Sequence, residues 1–402
     1  MAQPGGKGPA AVMAWIRRAA LPLSTPVTGH GFEDLAPLRK IVGDARIVAL
    51  GEATHGTREF FQLKHRMFEF LVTRMGFSII ALEANMPQAY RLNDFVRTGA
   101  GDPRKLLKTL GSLLDTEEML DMILWIREYN ASGKGRVEFA GFDMQDPMAA
   151  SENVRGFVAK SDPEYMPALS KALGLVRAAM GMDPAGRKTV AAEWEQVAAH
   201  LEALRPSAGI EWAIQNARIV VQCLEFAAKL PEPAASMAAR DASMAANVKW
   251  ILGRSPDARI VLWAHNFHVM TGPDPMGVET MGMRLQKMYP GKMVTFGFAF
   301  HQGSFQAYSA GGRLREFTVG PAPDESLDAA LAAAGMPLFA LDLRAAPANG
   351  PVAEWLAAGH RTRNIMAGYA EDSPDASLYN HVVARRYDCP LFVERTTAAR
   401  PN

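Results

Sequence analysis

RIVALGEATHGTREFFQLKHRMFEFLVTRMGFSIIALEAN, residues 46–85, holds one complete strand–helix–strand unit. RIVAL (46–50) and SIIALEA (78–84) are short apolar runs of the kind that form strands buried on both faces. Between them Phe60, Leu63, Met67, Phe70 and Leu71 recur at helical spacing, which predicts a helix over 59–75. Strand–helix–strand alternation implies parallel pairing through a right-handed crossover. The turn from the first strand into the helix carries three ionisable side chains, Glu52, His55 and Arg58. Caps and a solvated loop would explain them blandly; catalysis would explain them sharply.

The same pattern continues outward. Strands are expected at VEFAGFD (137–143), ARIVLWAH (258–265), VTFGFAF (294–300), FQAYSA (305–310), LFALDL (338–343) and LFVER (391–395). Helical periods fall at 86–96, 117–129 and, more briefly, 327–334. Residues 147–254 contain no strand pattern. Helical periods at 164–180, 189–204, 210–230 and 234–252 fill them, separated by Pro/Gly breaks. The expectation is an α/β fold: a mostly parallel central sheet flanked by helices, in a single catalytic unit spanning 1–402. A large helical insertion, about 147–254, would stand beside the active-site cleft. The final TTAARPN reads as a poorly ordered tail.

Composition narrows the function classes. Lys plus Arg is 43 and Asp plus Glu is 42, for a net charge of +1. That balance gives no reason to expect a nucleic acid or an anionic membrane surface as partner. No apolar run reaches membrane-spanning length. The N-terminal 23 residues look faintly like an export signal, but the apolar stretch 10–16 is short and Arg17 and Arg18 interrupt it, so a signal peptide is rejected. The two cysteines, Cys223 and Cys389, make neither a disulfide framework nor a CxxC knuckle. A reducing cytoplasm is the expected compartment.

Four expected strands end in polar residues on their carboxyl side. The first supplies Glu52 and His55, the second Glu83 and Asn85, the third Asp143, Gln145 and Asp146, and the fourth His265, Asn266 and His268. In open parallel sheets the ligand crevice lies outside the carboxyl ends of the strands, so topology would gather these distant residues at one rim. Bland alternatives exist for each: Thr54 as a helix cap, Glu59 near the positive helix end, His268 and Asp143 as supporting hydrogen-bond partners. Glu83, directly after SIIAL, is harder to dismiss, because a buried carboxylate requires partners. There is no GxSxG or SxxK nucleophile, no HExxH, no GxxxxGK[ST] and no GxGxxG after a strand. Histidines and glutamates without a serine or cysteine nucleophile point to bound water as the attacking group, with histidine as its base.

GEATHGTREFFQLKHRMFEFLV, ALEAN, GFDMQ, RDASMAANVKWIL, WAHNFHV and ERTTAARP, in that order, resemble the erythromycin esterase family over residues 41–400. The resemblance implies an α/β core with a helical part and hydrolytic opening of a macrolide lactone, with antibiotic resistance as the consequence. It implies that His55 is the general base for water and that Glu52, Glu83, His265 and His268 are site residues, with no metal and no cofactor. On this reading Glu83 or Glu52 orients the water or His55. His265 and Arg58 stabilise the developing oxyanion, and His268, Asn266, Asp143 and Gln145 bind substrate. The partner is a small molecule, a macrolide or another cyclic ester. Two rival readings remain: a metal-dependent hydrolase using His55, His265, His268 and carboxylates, and a binding protein that holds a polar ligand without turnover.

Overall fold

The computed structural model describes residues 10–274 and 276–402. Its strands are β1 (Leu21–Pro22), β2 (Ile47–Leu50), β3 (Ile79–Asn85), β4 (Glu138–Asp143), β5 (Ile260–Trp263), β6 (Met293–Tyr308), β7 (Leu314–Val319), β8 (Leu338–Ala340), β9 (His360–Arg363), β10 (Leu378–His381) and β11 (Cys389–Thr396). Nine of them form one mixed sheet in the order β1-β8-β11-β6-β2-β5-β3-β4, with β7 on the outer half of β6. The centre is parallel: β2 pairs with β5 and β6, β3 with β4 and β5, and β6 with β11. Antiparallel pairs (β1–β8, β8–β11, β6–β7) lie toward one side, and β9–β10 is a separate ribbon.

Side chains alternate across a strand, and the core follows that period of two. Ile47 and Ala49 of β2 join one apolar cluster, while Val48 and Leu50 join another on the opposite face. The first cluster takes in the apolar faces of the helices Met166–Ala179, Pro184–Ala203, Ile210–Ala228 and Pro233–Gly253. The second packs the helix Arg58–Met75, with Phe60, Phe61, Leu63, Met67 and Phe68 buried, against the other face. Residues 147–253 are helical throughout apart from their connections, as the absence of a strand pattern predicted. The expected strands at 294–300 and 305–310 are one continuous strand. Gly303, at φ 131°, bends it instead of breaking it, where a Cβ would lie 2.1 Å from the Thr396 carbonyl oxygen of β11.

The N-terminal helix Ala10–Ala19 is amphipathic and buries Val12, Met13, Trp15 and Ile16; residues 1–9 of the stretch weighed as an export signal lie outside the described residues. No helix among the described residues is long and apolar enough to cross a membrane.

The C-terminal segment corrects the expectation of a loose tail. Arg58 N–H donates to Thr397 O (2.9 Å), Ala399 N–H to Gly56 O (2.9 Å) and Glu117 N–H to Arg400 O (2.8 Å). The Glu59 carboxylate accepts from both the N–H and the hydroxyl of Thr397 at 2.7 Å, and Arg400 reaches Glu117 and Glu118. Polar composition suggested a solvated end; backbone groups at two helix starts, lacking intrahelical partners, bind it instead. Deleting residues 397–402 is expected to cost about 2.5–7.5 kcal/mol, from a net value of about 0.5–1.5 kcal/mol for each of the three backbone bonds and the two bonds to Glu59. Urea unfolding measures this, and a loss below about 1 kcal/mol would show that the clamp contributes nothing beyond solvation.

Candidate active site

The turn after β2 is fixed by close packing. A Cβ on Gly56 would lie 2.2 Å from the Gln306 carbonyl oxygen of β6, so only glycine lets the chain fold back there. Thr54 Oγ1 accepts the Gly56 N–H at 3.1 Å and bonds the Thr57 hydroxyl at 2.8 Å. This turn places Glu52 inside the protein, 1% exposed. Its Oε2 accepts from Lys64 Nζ (2.6 Å) and Trp263 Nε1 (3.0 Å), and its Oε1 lies 2.8 Å from His55 Nδ1. Burial opposes the charge on Glu52, yet Lys64 and His55 outweigh it and keep the carboxyl below its usual value. Lys64 is fully buried, and burial draws its ammonium down to about 8 against the pull of Glu52. Ionised Glu52 can only accept, so neutral His55 carries its proton on Nδ1. Its Nε2 has no partner among the described residues, and the ring lines the cleft.

A second network sits at the ends of β3, β4 and β5. Glu83 Oε1 accepts from Arg240 Nη2 (2.7 Å) and lies 3.3 Å from His268 Nε2; its Oε2 accepts the His265 backbone N–H (2.8 Å). Arg240 also grips Asp143, through Nη2 (2.6 Å) and Nε (3.2 Å). His268 Nδ1 donates to Asp241 at 2.9 Å. Burial disfavours charge on His268, but Asp241 and Glu83 outweigh it and raise the imidazole to about 10. Arg240 Nη1 lies 3.1 Å from His268 Nε2 as well. Two N–H groups cannot bond each other, so the charged imidazole gives its Nε2–H to Glu83. Burial works against the Glu83 charge too, and His268 and Arg240 reverse it, holding the carboxyl well below its usual value.

These groups wall a cleft of about 350 Å³. Of the residues singled out in the sequence, Glu52, His55, Glu83, Asn85, Asp143, Gln145 and His268 line it together. The others stand behind or beside it. His265 is fully buried; its Nδ1 accepts the Phe267 N–H and its Nε2–H donates to Ile365 O. Burial and the neighbouring His55 ring, 4.9 Å away, hold it well below its usual pKa, so it is neutral. Asn266 bonds both backbone groups of Phe298 in β6, like a short extra strand. Arg58 approaches Glu118 at 3.5 Å and is not on the cleft wall. Among the described residues no group of three or more His, Cys, Asp or Glu side chains stands at metal-binding spacing.

The erythromycin esterase family model matches residues 72–396. The chain belongs to the erythromycin esterase family. Among its relatives, erythromycin esterase type II of Escherichia coli is 24% identical over 324 residues, covering 72% of this chain and 77% of that protein. A solved Bacillus cereus protein superposes with TM-score 0.88 at 26% identity, over 98% of both chains. A second solved structure, described as a succinoglycan biosynthesis protein, gives TM-score 0.87 at 25% identity over the whole of both. The family match begins after the turn that carries Glu52 and His55, so that turn is read on its own geometry.

Several members of this site were not singled out in the sequence. Lys64 carries a signal in retrospect: it falls at i+4 from Phe60 and i−3 from Met67, on the apolar face of its helix. Arg240 and Asp241 are adjacent charges in the Ala- and Met-rich run SMAARDASMAAN. Trp263 and Tyr308 look like ordinary strand residues, and nothing in the sequence marks them.

The His268 network has a pH signature. Its charge stabilises the fold fully below pH 6.5, the usual imidazole value, and that contribution is lost as pH rises toward 10, at about 1.4 kcal/mol per pH unit at most. Lys64, drawn down to about 8, contributes with opposite sign above pH 8. The difference between wild type and His268→Gln therefore carries the test. Wild type is expected to lose more melting temperature than the variant between pH 6.5 and 10. Parallel pH curves would mean that His268 is not charged in the folded state.

Proposed function

We propose that this chain hydrolyses a carboxylic ester, and within that class a macrolide lactone, with a water activated by His55. The observation that carries the reading is the 2.8 Å contact of His55 Nδ1 with buried Glu52, on the wall of the cleft. It fixes the tautomer that leaves Nε2 as a proton acceptor. Nε2 takes a proton from water, and the hydroxide oxygen attacks the carbonyl carbon. The carbonyl π pair moves to oxygen; on collapse, the leaving alkoxide takes the proton back from His55. An acid and an alcohol result, or one hydroxy acid when the ester is cyclic.

Water fits as the nucleophile because the two cysteines are buried, and burial raises both thiols far above neutrality. Glu52 positions His55, and Lys64 and Trp263 hold Glu52. The lactone reading draws on the name of the Escherichia coli relative, erythromycin esterase type II. Apolar residues in the cleft wall, Leu110, Leu113, Leu114 and Met366, suit a large hydrophobic ring.

The test is mass spectrometry for the addition of one water across a panel of macrolides, simple lactones and O-acylated sugars, the last because one solved relative is described as a succinoglycan biosynthesis protein. His55→Asn keeps a polar side chain of similar reach and removes the base. Turnover of the accepted ester is expected to fall by about 10²–10⁴-fold while substrate binding persists. Near-normal hydrolysis by folded His55→Asn protein would place the base elsewhere.

A further inference from the structure

We propose that the phenol of Tyr308 is a catalytic donor to the oxyanion that forms when water attacks the ester carbonyl. The proposal rests on the ester-hydrolase reading above. It begins from what the charged groups of the cleft are already doing. Arg240 commits Nε and Nη2 to Asp143 and Glu83, and its Nη1 abuts His268. His268 lies between Asp241 and Glu83, and Lys64 sits behind Glu52 with no exposure. Gln145 donates to Asp143, and Trp263 donates to Glu52. The cationic donors around the base are thus closed on carboxylates, apart from Arg240 Nη1, which packs against the charged His268 ring.

An oxyanion needs a donor that is free before it forms and stays put when it does. Among the described residues, the cleft-lining hydroxyls without a protein partner are those of Tyr308 and Ser112, and the Asn85 amide nitrogen is also free. Asn85 pairs in register with Asp143 of β4, on the side of β3 away from β2, and its oxygen is held by the Asp146 N–H. Ser112 is an exposed residue on the turn between the helices Pro103–Lys108 and Glu117–Ala131. Tyr308 differs from both. It ends β6 two residues beyond Gln306, whose N–H bonds the carbonyl of Gly56, the residue next to His55. Its own backbone is held on both sides, N–H to Ala367 O at 2.8 Å and O to Tyr369 N–H at 2.9 Å. A half-buried tyrosine on a fixed strand end, lining the same cleft as His55, meets both requirements. Donating O–H to the oxyanion leaves the proton on tyrosine, so the step balances without another group.

The experiment compares wild type, Tyr308→Phe, Ser112→Ala and His55→Asn on the panel esters, with 4-nitrophenyl acetate added. 4-Nitrophenyl methylphosphonate serves as an anionic mimic of the tetrahedral species. Tyr308→Phe keeps the ring, so its melting temperature is expected to stay near wild type. Its kcat is expected to fall about 10²–10³-fold with KM changed less than about threefold, and phosphonate inhibition to weaken in parallel with kcat/KM. A purely structural role would move the melting temperature or KM and leave that parallel unmet. Hydrolysis abolished in His55→Asn but untouched in Tyr308→Phe overturns this proposal alone; a loss confined to Ser112→Ala moves the donor to that residue. Wild-type protein that turns over no ester of the panel overturns the hydrolase reading and this proposal with it.

Discussion

Everything at the rim is organised around one buried carboxylate. Glu52 is removed from water and can stay charged only if its oxygens are served. Three elements serve it: the helix Arg58–Met75 through Lys64, β5 through Trp263, and its own turn through His55. Such a pair is not a good way to gain stability, because desolvating two charges costs about as much as their attraction returns. Its effect is geometric. Each donor fixes one direction at the carboxylate, and the direction left for His55 decides which imidazole nitrogen carries the proton. Removing Lys64 would leave a buried charge uncompensated and would release the orientation of His55.

Arg240 performs the same service between two parts of the chain. Its helix, Pro233–Gly253, belongs to the long helical stretch between β4 and β5, while Glu83 and Asp143 end β3 and β4. The adjacent Asp241 takes His268 from the segment after β5 and the Met281 N–H beyond it. One helical turn therefore ties together β3, β4 and the β5 connection. Apolar packing of the helices on the sheet would tolerate small slips; a guanidinium held between two carboxylates does not, since its donors are planar and fixed. The helices thus supply an inner wall of the cleft as well as a cover for the sheet.

The fold was legible because its signals are local. Buried strands such as RIVAL and SIIALEA announce themselves by composition, and the helix between them by its period. The convergence of Glu52, Glu83, Asp143 and His268 was legible too, since topology alone carries strand ends to one rim. What stayed hidden depends on three-dimensional detail. His265 and His268 look equivalent in WAHNFHV, yet one caps a short helix with its ring and the other sits between carboxylates. Arg58 lies near Glu52 in sequence, but as the first residue of its helix it faces Glu118 instead. The tail was misread because a polar segment that pairs with helix starts has the same composition as one left in water.

The charged groups of the cleft are paired with one another before any ligand arrives. An incoming ligand therefore displaces no ion pair and meets a preformed site, which is the condition under which fixed dipoles stabilise charge well. It also means that the rim has little with which to choose among ligands. Choice falls to segments that touch the cleft but not the network: the 110–114 turn, and Met366 and Ala367 on the connection between β9 and β10. These are connections between elements, free to vary in length and side chain without disturbing Glu52 or Arg240. A family built this way can keep its network and change its ligand, which is why membership says more about the class of chemistry than about any one substrate.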